Sequence, residues 1–207
     1  GRYNLSRLVG AHPPLKPYLM QTPAGLSVDF SKSDAVRELN RALLKAEYNI
    51  GYWSIPEGYL CPPVPGRVDY LHGLADLLAE DNGGQLLRGP KVRVLDIGTG
   101  ANVIYPLLGQ AEYGWQFVGS DIDREALTAA QANVQNNGLE SHIELRRQYA
   151  SGHVFNGLVK PEDRFALVMC NPPFHASAAE AAKGSQRKNA NLAALKSKKP
   201  QIIRGKS

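Results

Sequence analysis

Two acidic residues that directly follow short apolar runs are the first candidates for chemistry in this sequence. The run VRVLDIG contains Asp96 and leads into Gly100, and the run WQFVGSD ends in Asp121. Both runs are short and rich in β-branched and aromatic residues, which predicts two strands. Gly98 and Gly100 permit a tight turn and let a ligand approach the backbone without a Cβ in the way. The pattern predicts a ligand site where two strands end.

The acid in front of the glycine turn indicates the charge of the ligand. A dinucleotide-binding turn follows the pattern G-x-G-x-x-G, but the third glycine position is occupied by Val103. A carboxylate at residue 96 would also repel a pyrophosphate. It suits the ammonium group of S-adenosylmethionine (SAM), whose reactive centre is a sulfonium. We therefore predict that Asp96, Gly98 and Gly100 bind SAM; the alternative is an ordinary glycine turn.

The second acid, Asp121, ends the next predicted strand. A carboxylate at this position can accept hydrogen bonds from the two hydroxyls of an adenosine ribose. Ile122 beside it is placed to pack on the adenine. The alternative is that Asp121 or Asp123 caps the helix that begins near Arg124, and Asp123 is the better placed cap.

The segment Asn171-Pro172-Pro173-Phe174 follows a later apolar run and forms the candidate catalytic turn. Two consecutive prolines end strand pairing and hold a rigid turn. The Asn171 amide oxygen and the Pro172 carbonyl can accept hydrogen bonds from an amino group, while Phe174 stacks on the ring that bears it. Catalysis would then consist of aligning nitrogen, methyl carbon and sulfur. The alternative is a loop without a catalytic role.

The elements around these residues predict an α/β fold. Strands at VRVLDIG, WQFVGSD, HIELRRQ and FALVMC alternate with helices, one of them from Asp123 to about Asn137, which indicates a parallel sheet. In such sheets ligands bind beyond the carboxyl ends of the strands. Before the sheet we expect helices from Ser33 and from about Val68 to Glu80, preceded by an irregular arm over residues 1–32.

Several segments resemble one bacterial family, the ribosomal RNA large subunit methyltransferases F (RlmF). They are SVDFSKSDAVRELNRALL, CPPVPGRVDYLHGLADLL, LDIGTGANVIYPLLG, LRRQ, VFNG and CNPPFHAS. The family belongs to the class I SAM-dependent methyltransferases, with a Rossmann-like, doubly wound sheet, and is related to a eukaryotic U6 snRNA and mRNA adenine methyltransferase. The resemblance implies SAM as cofactor and the N6 amino group of one adenine in 23S ribosomal RNA, free or in a large-subunit assembly intermediate, as substrate. It also implies that Arg67 lies near the methionine end of the cofactor or near the RNA.

The resemblance also suggests how the chain is organised. We expect a helical, Pro-rich, RNA-binding module over residues 1–83, a SAM-binding core over 84–182 and a basic tail over 183–207. A methyltransferase of this class has further strands after the N-P-P-F turn, and this chain supplies only the tail, so we expect the C-terminal strands to be missing. Two alternatives stay open: a protein glutamine N5 methyltransferase, which uses the same turn, and a truncated, non-catalytic fragment that binds RNA and SAM.

Composition indicates the cellular compartment and the kind of partner. The chain has 207 residues, 43% of them hydrophobic, and two cysteines, which predicts a reducing, cytoplasmic compartment. No apolar run is long enough to cross a bilayer, no signal peptide or metal motif is recognisable, and the oligomeric state stays open.

Residues 181–207 contain eight basic residues and no acidic one, whereas residues 1–180 contain sixteen basic and nineteen acidic residues. Such a tail is typical of phosphate binding or of a solvated chain end.

Six further residues have two interpretations each. Cys170 is either a nucleophile or, as we favour, an inert thiol. Arg146 and Arg147 contact the cofactor rim or a phosphate, or are solvated charges. Tyr52 and Trp53, like the nearby Tyr59, stack on RNA bases or, as we favour, pack a connector against the domain.

Overall fold

The computed structural model describes residues 3–32, 34–149 and 155–170. The chain divides into a unit of residues 1–171 and a unit of residues 172–207, and the second lies outside the described residues. Within the described ranges, no helix has the length and apolar character that a bilayer span requires.

Residues 3–32 contain several regular elements, so the expected irregular arm is wrong. Helix α1 covers Leu5–Ala11, a 3₁₀ segment covers Pro13–Tyr18, and strands β1 (Leu19–Thr22) and β2 (Gly25–Val28) form an antiparallel hairpin. The prolines suit the 3₁₀ segment because their φ is fixed near the helical value.

Two longer helices follow. Helix α2 covers Ala35–Tyr48, and the proposed cap Ser33 lies outside the described residues. Helix α3 covers Val64–Glu80 and so begins four residues before the expected start. Pro65 lies in its first turn, where the missing N–H removes no helical hydrogen bond. Gly83 and Gly84 follow the helix with positive φ, as expected from a glycine stop.

The centre of the unit is a four-stranded parallel sheet with the order β5-β4-β3-β6. Its elements appear where the apolar runs predict them: β3 (Arg93–Ile97), α4 (Ile104–Tyr113), β4 (Gln116–Asp121), α5 (Arg124–Asn136), β5 (Ile143–Arg147) and β6 (Leu167–Cys170). The chain moves outward from β3 to β5 and returns to the other side of β3. The sheet therefore has a switch point between β3 and β6, where ligands bind in open α/β sheets.

Strand alternation divides the sheet into two faces. On the helix face, Val94, its register neighbour Phe117, and Met169, which is in register with Asp96, join a large core that also contains residues of the helices before the sheet. On the opposite face, Leu95 and Val118 form a small cluster with three residues that cover them: Leu158, Ile97 and Phe165. The large core runs from Leu5 to Met169 and joins residues on both sides of the predicted boundary at residue 83.

Candidate cofactor-binding site

The glycine turn lies at the carboxyl end of β3 and is tied to β4. Gly98 and Gly100 have φ values of 74° and 66°, a conformation that glycine adopts without strain. The backbone N–H groups of Gly98 and Thr99 both donate to the Ser120 carbonyl, over 2.8 and 2.9 Å. The turn predicted from the sequence is thus present and is fixed against the neighbouring strand.

Val103 occupies the position of the missing third glycine and adopts a glycine-like conformation. Its φ is 44° and its ψ is 35°, in the left-handed region that β-branched residues rarely adopt. The side chain is fully buried in the main core. Burial stabilises a conformation that is unfavourable by itself, and helix α4 begins immediately afterwards.

Asp96 carries the most unusual group of the site. It points to the helix face of β3, is 1% exposed, and neither carboxylate oxygen has a hydrogen-bond partner among the described residues. Burial raises the pKa of Asp96 to about 7, the charge of Asp121 adds to this, and the nearby Thr99 hydroxyl opposes it without making a well-formed hydrogen bond. In register beside it lies Gly119, which has no side chain. A buried carboxylate without a partner is unfavourable unless a ligand supplies one.

Asp121 lies at the end of β4 and is oriented by two backbone groups. Its Oδ2 accepts from the Gly100 N–H over 2.9 Å, and its Oδ1 accepts from the Asp123 N–H over 3.0 Å. Asp123 caps α5, as predicted, by accepting from the N–H groups of Glu125 and Ala126. Ile122 is 55% exposed between them. Asp121 is therefore no helix cap, and it links the glycine turn to the end of β4.

Arg67 reaches the same region from α3. Its Nη1 donates to the Tyr105 hydroxyl over 2.8 Å, and its guanidinium lies 5.5 Å from the centre of the Tyr105 ring. Tyr105 follows the glycine turn in α4; burial raises the pKa of its hydroxyl, the Arg67 bond opposes this, and the charge of Asp96 adds to the rise. An arginine and a carboxylate thus both lie close enough to one tyrosine to act on its hydroxyl. This arrangement complements a zwitterionic amino acid, which presents one ammonium and one carboxylate group.

A segment before α3 forms part of the rim, which sequence reasoning did not predict. The Tyr59 hydroxyl donates to Asp123 Oδ2 over 2.5 Å, and this bond raises the pKa of Tyr59 to about 12. Trp53 is buried and its Nε1 donates to the Asn102 carbonyl over 2.9 Å. The packing interpretation of these two aromatic residues is confirmed.

Two asparagines, one in α5 and one directly after it, hold this segment in place. Asn133 pairs with both backbone groups of Ser54, each over 2.8 Å, and its Nδ2 also donates to the Ala101 carbonyl. Asn137 pairs in the same way with both backbone groups of Tyr52. Residues two apart in an extended segment and four apart in a helix have similar separations, so the two pairs match. The four-residue spacing of the two asparagines was the sequence pattern that could have indicated this pairing.

The structure also shows the surroundings of Arg146, Arg147 and Cys170, for which the sequence left two interpretations open. Arg146 donates to Asp163 and Glu144 on the opposite face of the sheet, so it is neither a rim residue nor a solvated charge. Arg147 lies over the ring of Tyr149. Cys170 is exposed at the end of β6, where desolvation raises the pKa of its thiol, contrary to what a nucleophilic thiolate requires.

The proposed catalytic residues Asn171, Pro172, Pro173 and Phe174 lie outside the described residues. The described part of β6 ends at Cys170, which pairs in register with Ile97. The described part of β6 therefore ends at the edge of the sheet where the glycine turn begins. No group of three His, Cys, Asp or Glu side chains suited to a metal ion occurs in residues 3–32, 34–149 and 155–170.

Comparison with known families assigns the chain. A family profile described as RNA methyltransferase (Methyltransf_10) matches residues 1–205. The chain belongs to this RNA methyltransferase family. It is 60% identical over 196 residues to the ribosomal RNA large subunit methyltransferase F of Stutzerimonas stutzeri, covering 94% of this chain and 60% of that protein. The corresponding protein of Pseudomonas entomophila is 55% identical over 193 residues, covering 93% and 61%. The resemblance to the RlmF family is confirmed.

Solved structures support the fold of this family member. The N-terminal domain of human METTL16 in complex with SAH matches with a TM-score of 0.71 and 29% identity, covering 93% of this chain and 75% of that one. The METTL16 catalytic domain in complex with a MAT2A 3′UTR hairpin matches with a TM-score of 0.72 and 31% identity, covering 98% and 63%. The Rossmann-like class I methyltransferase fold is therefore confirmed. The chain spans about three fifths of the length of the curated relatives it matches.

Proposed function

We propose that this chain is the SAM-binding part of an enzyme that methylates the N6 amino group of an adenine in 23S ribosomal RNA. The observation that carries the proposal is the buried carboxylate of Asp96, which has no partner among the described residues at the glycine turn. A cationic amine at this position would remove the unfavourable burial. The names of the relatives supply the RNA substrate class.

The residues of the site fit the separate parts of SAM. Asp96 would bind the ammonium group and Arg67 the carboxylate of its methionine end. Asp121 would accept hydrogen bonds from the ribose hydroxyls through the lone pairs that its two backbone partners leave available. Ile122 offers an exposed apolar surface to the adenine. SAM supplies the methyl group.

Residues 171–174 would position the acceptor. The Asn171 amide oxygen and the Pro172 carbonyl would accept hydrogen bonds from the adenine amino group, Pro173 would stiffen the turn, and Phe174 would stack on the base. The turn would hold the amino nitrogen in line with the methyl group and sulfur of bound SAM, so that the nitrogen lone pair would form the new bond as the carbon–sulfur bond leaves its electron pair on sulfur. The amino group then loses a proton to solvent. Alignment, rather than an activated base, supplies the rate enhancement.

The RNA must present its adenine outside a stacked helix, because a base inside a duplex cannot reach a recessed turn. We assign RNA contacts to residues 1–83 and to the basic residues of 183–207. Phosphate contacts of this kind weaken as salt increases. A ribosomal substrate, free or in an assembly intermediate, places the activity in the cytoplasm.

Methyl transfer from labelled SAM to deproteinised ribosomal RNA tests the proposal, with a release factor as the alternative acceptor. We expect label in adenine of the RNA and none in glutamine of the release factor. Asn171→Ala should abolish transfer with little change in SAM affinity, whereas Asp121→Ala should weaken SAM binding about tenfold or more. SAM binding without transfer to RNA would instead identify a non-catalytic fragment, and label in glutamine would contradict the RNA substrate.

A further inference from the structure

A cavity separate from the cofactor edge lies between α2, the residue that follows α1, and the segment after α2. Its volume is about 260 Å³, and it is lined by eight residues: His12, Arg41, Lys45, Ile50, Gly51, Tyr52, Trp53 and Ser54. Three of them carry basic or imidazole side chains and two are aromatic. The volume is slightly below the 300–1,000 Å³ of pockets that enclose whole small molecules.

Two side chains of the cavity, Arg41 and His12, are held in place by the buried acid Glu38. Arg41 Nη1 donates to Glu38 Oε1 over 2.6 Å, and its Nε donates to the Trp53 carbonyl over 3.0 Å. His12 Nε2 lies 2.6 Å from Glu38 Oε2. The single carboxylate fixes both neighbours and balances one positive charge.

The positive charge of Lys45 is not balanced by this carboxylate. It is exposed, and among the described residues no hydrogen bond or ion pair involves it. It lies four residues after Arg41 on α2, so the two side chains are neighbours on the helix surface. The cavity therefore has a net positive charge at its mouth, which suits a phosphate.

The aromatic part of the wall suits a nucleotide rather than a phosphate alone. Tyr52 is 40% exposed, whereas Trp53 is buried. An exposed ring beside a pair of cations is the combination that binds single-stranded RNA, because the base stacks while the backbone phosphate pairs.

We propose that this cavity binds one nucleotide of the RNA substrate, with its phosphate at Arg41 and Lys45 and its base on Tyr52. The identity of the substrate as RNA rests on the function proposed above; the site itself does not. The wall also bears on the reaction, because Asn133 joins Ser54 to Ala101 beside the glycine turn. A nucleotide held on this wall is thereby fixed relative to the cofactor site.

Binding of a fluorescent single-stranded oligoribonucleotide by the full chain, measured by anisotropy over a range of KCl concentrations, tests the phosphate contact. Lys45→Ala should weaken binding and lower the slope of log K against log salt by about 0.7, the value for one single-strand phosphate. Lys91→Ala is the matched control, since it removes an equally exposed charge that precedes β3, away from the carboxyl edge of the sheet. Equal slopes for the two variants would overturn the proposal.

The stacking contact has its own pair of variants. Tyr52→Ala should weaken RNA binding roughly 5- to 100-fold, the range for loss of one stacked base, whereas Tyr52→Phe should bind like the original chain. Competition by AMP at lower concentrations than inorganic phosphate would support a nucleotide site. Equal competition by the two, or equal binding by the two Tyr52 variants, would reduce it to an anion site and contradict the inference.

A SAM titration on the same samples separates this inference from the proposed function. All three cavity variants should bind SAM like the original chain, because none of the substituted residues belongs to the cofactor site. RNA binding that depends on Lys45 and Tyr52 in a chain that transfers no methyl group would support the cavity and refute the proposed function. Methyl transfer to RNA that is unaffected by either substitution would support the proposed function and refute the cavity.

Discussion

The two faces of the parallel sheet each bury an aspartate, and the two aspartates have opposite surroundings. On the helix face, Asp96 has no partner among the described residues, and its pKa is raised to about 7. On the other face, Asp163 accepts from Arg93 over 2.6 Å and from Arg146, and these partners hold its pKa well below the ordinary range. One carboxylate is stabilised by the fold, and the other is kept available for a ligand.

The difference teaches how one sheet separates stability from binding. The paired face is closed by the segment that carries Leu158 and Phe165, and its charges satisfy one another. On the helix face, Asp96 lies near the carboxyl edge at the switch point, the place where open α/β sheets bind ligands, and it has no partner among the described residues. Variants on the two faces should therefore have opposite effects on stability.

Breaking the paired face should give the largest change. Asp163→Asn leaves the guanidinium groups of Arg93 and Arg146 with weaker acceptors in a buried position. We expect the free energy of unfolding to fall by about 3 kcal/mol, measured by urea denaturation. Glu162→Gln, at the exposed neighbouring position, should leave it within about 0.5 kcal/mol. A loss of SAM affinity in folded Asp163→Asn would show that the faces are not independent.

On the open face the corresponding substitution should stabilise the protein. Asp96→Asn removes a buried charge that has no partner in the described structure, so the free energy of unfolding without SAM should rise by about 1 kcal/mol or more at pH 8. SAM affinity should fall about tenfold or more, because the amide offers no charge to the ammonium. Thermal unfolding with and without SAM measures both effects. Destabilisation of the ligand-free variant would contradict the assignment of Asp96.

The pH dependence should differ between the faces. Because the pKa of Asp96 is raised, the folded protein keeps a proton that the unfolded chain has lost between about pH 4 and 7. Stability without SAM should therefore fall as pH rises through this window, by up to about 1.4 kcal/mol per pH unit, and SAM affinity should rise. The pKa of Asp163 is lowered, so its contribution is lost only below about pH 4. Asp96→Asn should remove the first slope and leave the second.

The smallest effect is expected from the exposed member of the paired face. Glu144 bonds to Arg146 and pairs with Arg93 and Lys160, but its side chain is 42% exposed. Glu144→Gln should lower the free energy of unfolding by less than about 1 kcal/mol, because water screens such pairs. A loss as large as that of Asp163→Asn would show that the whole network, rather than the buried aspartate, holds this face.

The sequence predicted the sheet and the glycine turn because both depend on local patterns. Apolar runs that lead to Asp96 and Asp121 predict the strands, and Gly98 and Gly100 predict the turn. The identity of Asp123 as the helix cap followed from the same local logic.

The rest depends on contacts between distant segments. The bond from Tyr59 to Asp123 and the pairing of Asn133 with Ser54 join residues that are 64 and 79 positions apart. The position of Arg146 also depended on a distant partner, since only Asp163 places it among buried ion pairs. The hairpin β1–β2 was missed because its short strands alternate weakly and lie among prolines. No local pattern carries such information.

The conformation of Val103 has a consequence for how the cofactor edge folds. Its backbone holds a left-handed conformation that an isolated peptide would leave, and only the packed core retains it. The turn before it should thus be absent from any partly folded intermediate and form in the same cooperative step as the core. A nascent chain would gain the ability to capture its methyl donor abruptly, when helix α4 docks, rather than by gradual maturation of a pre-existing loop.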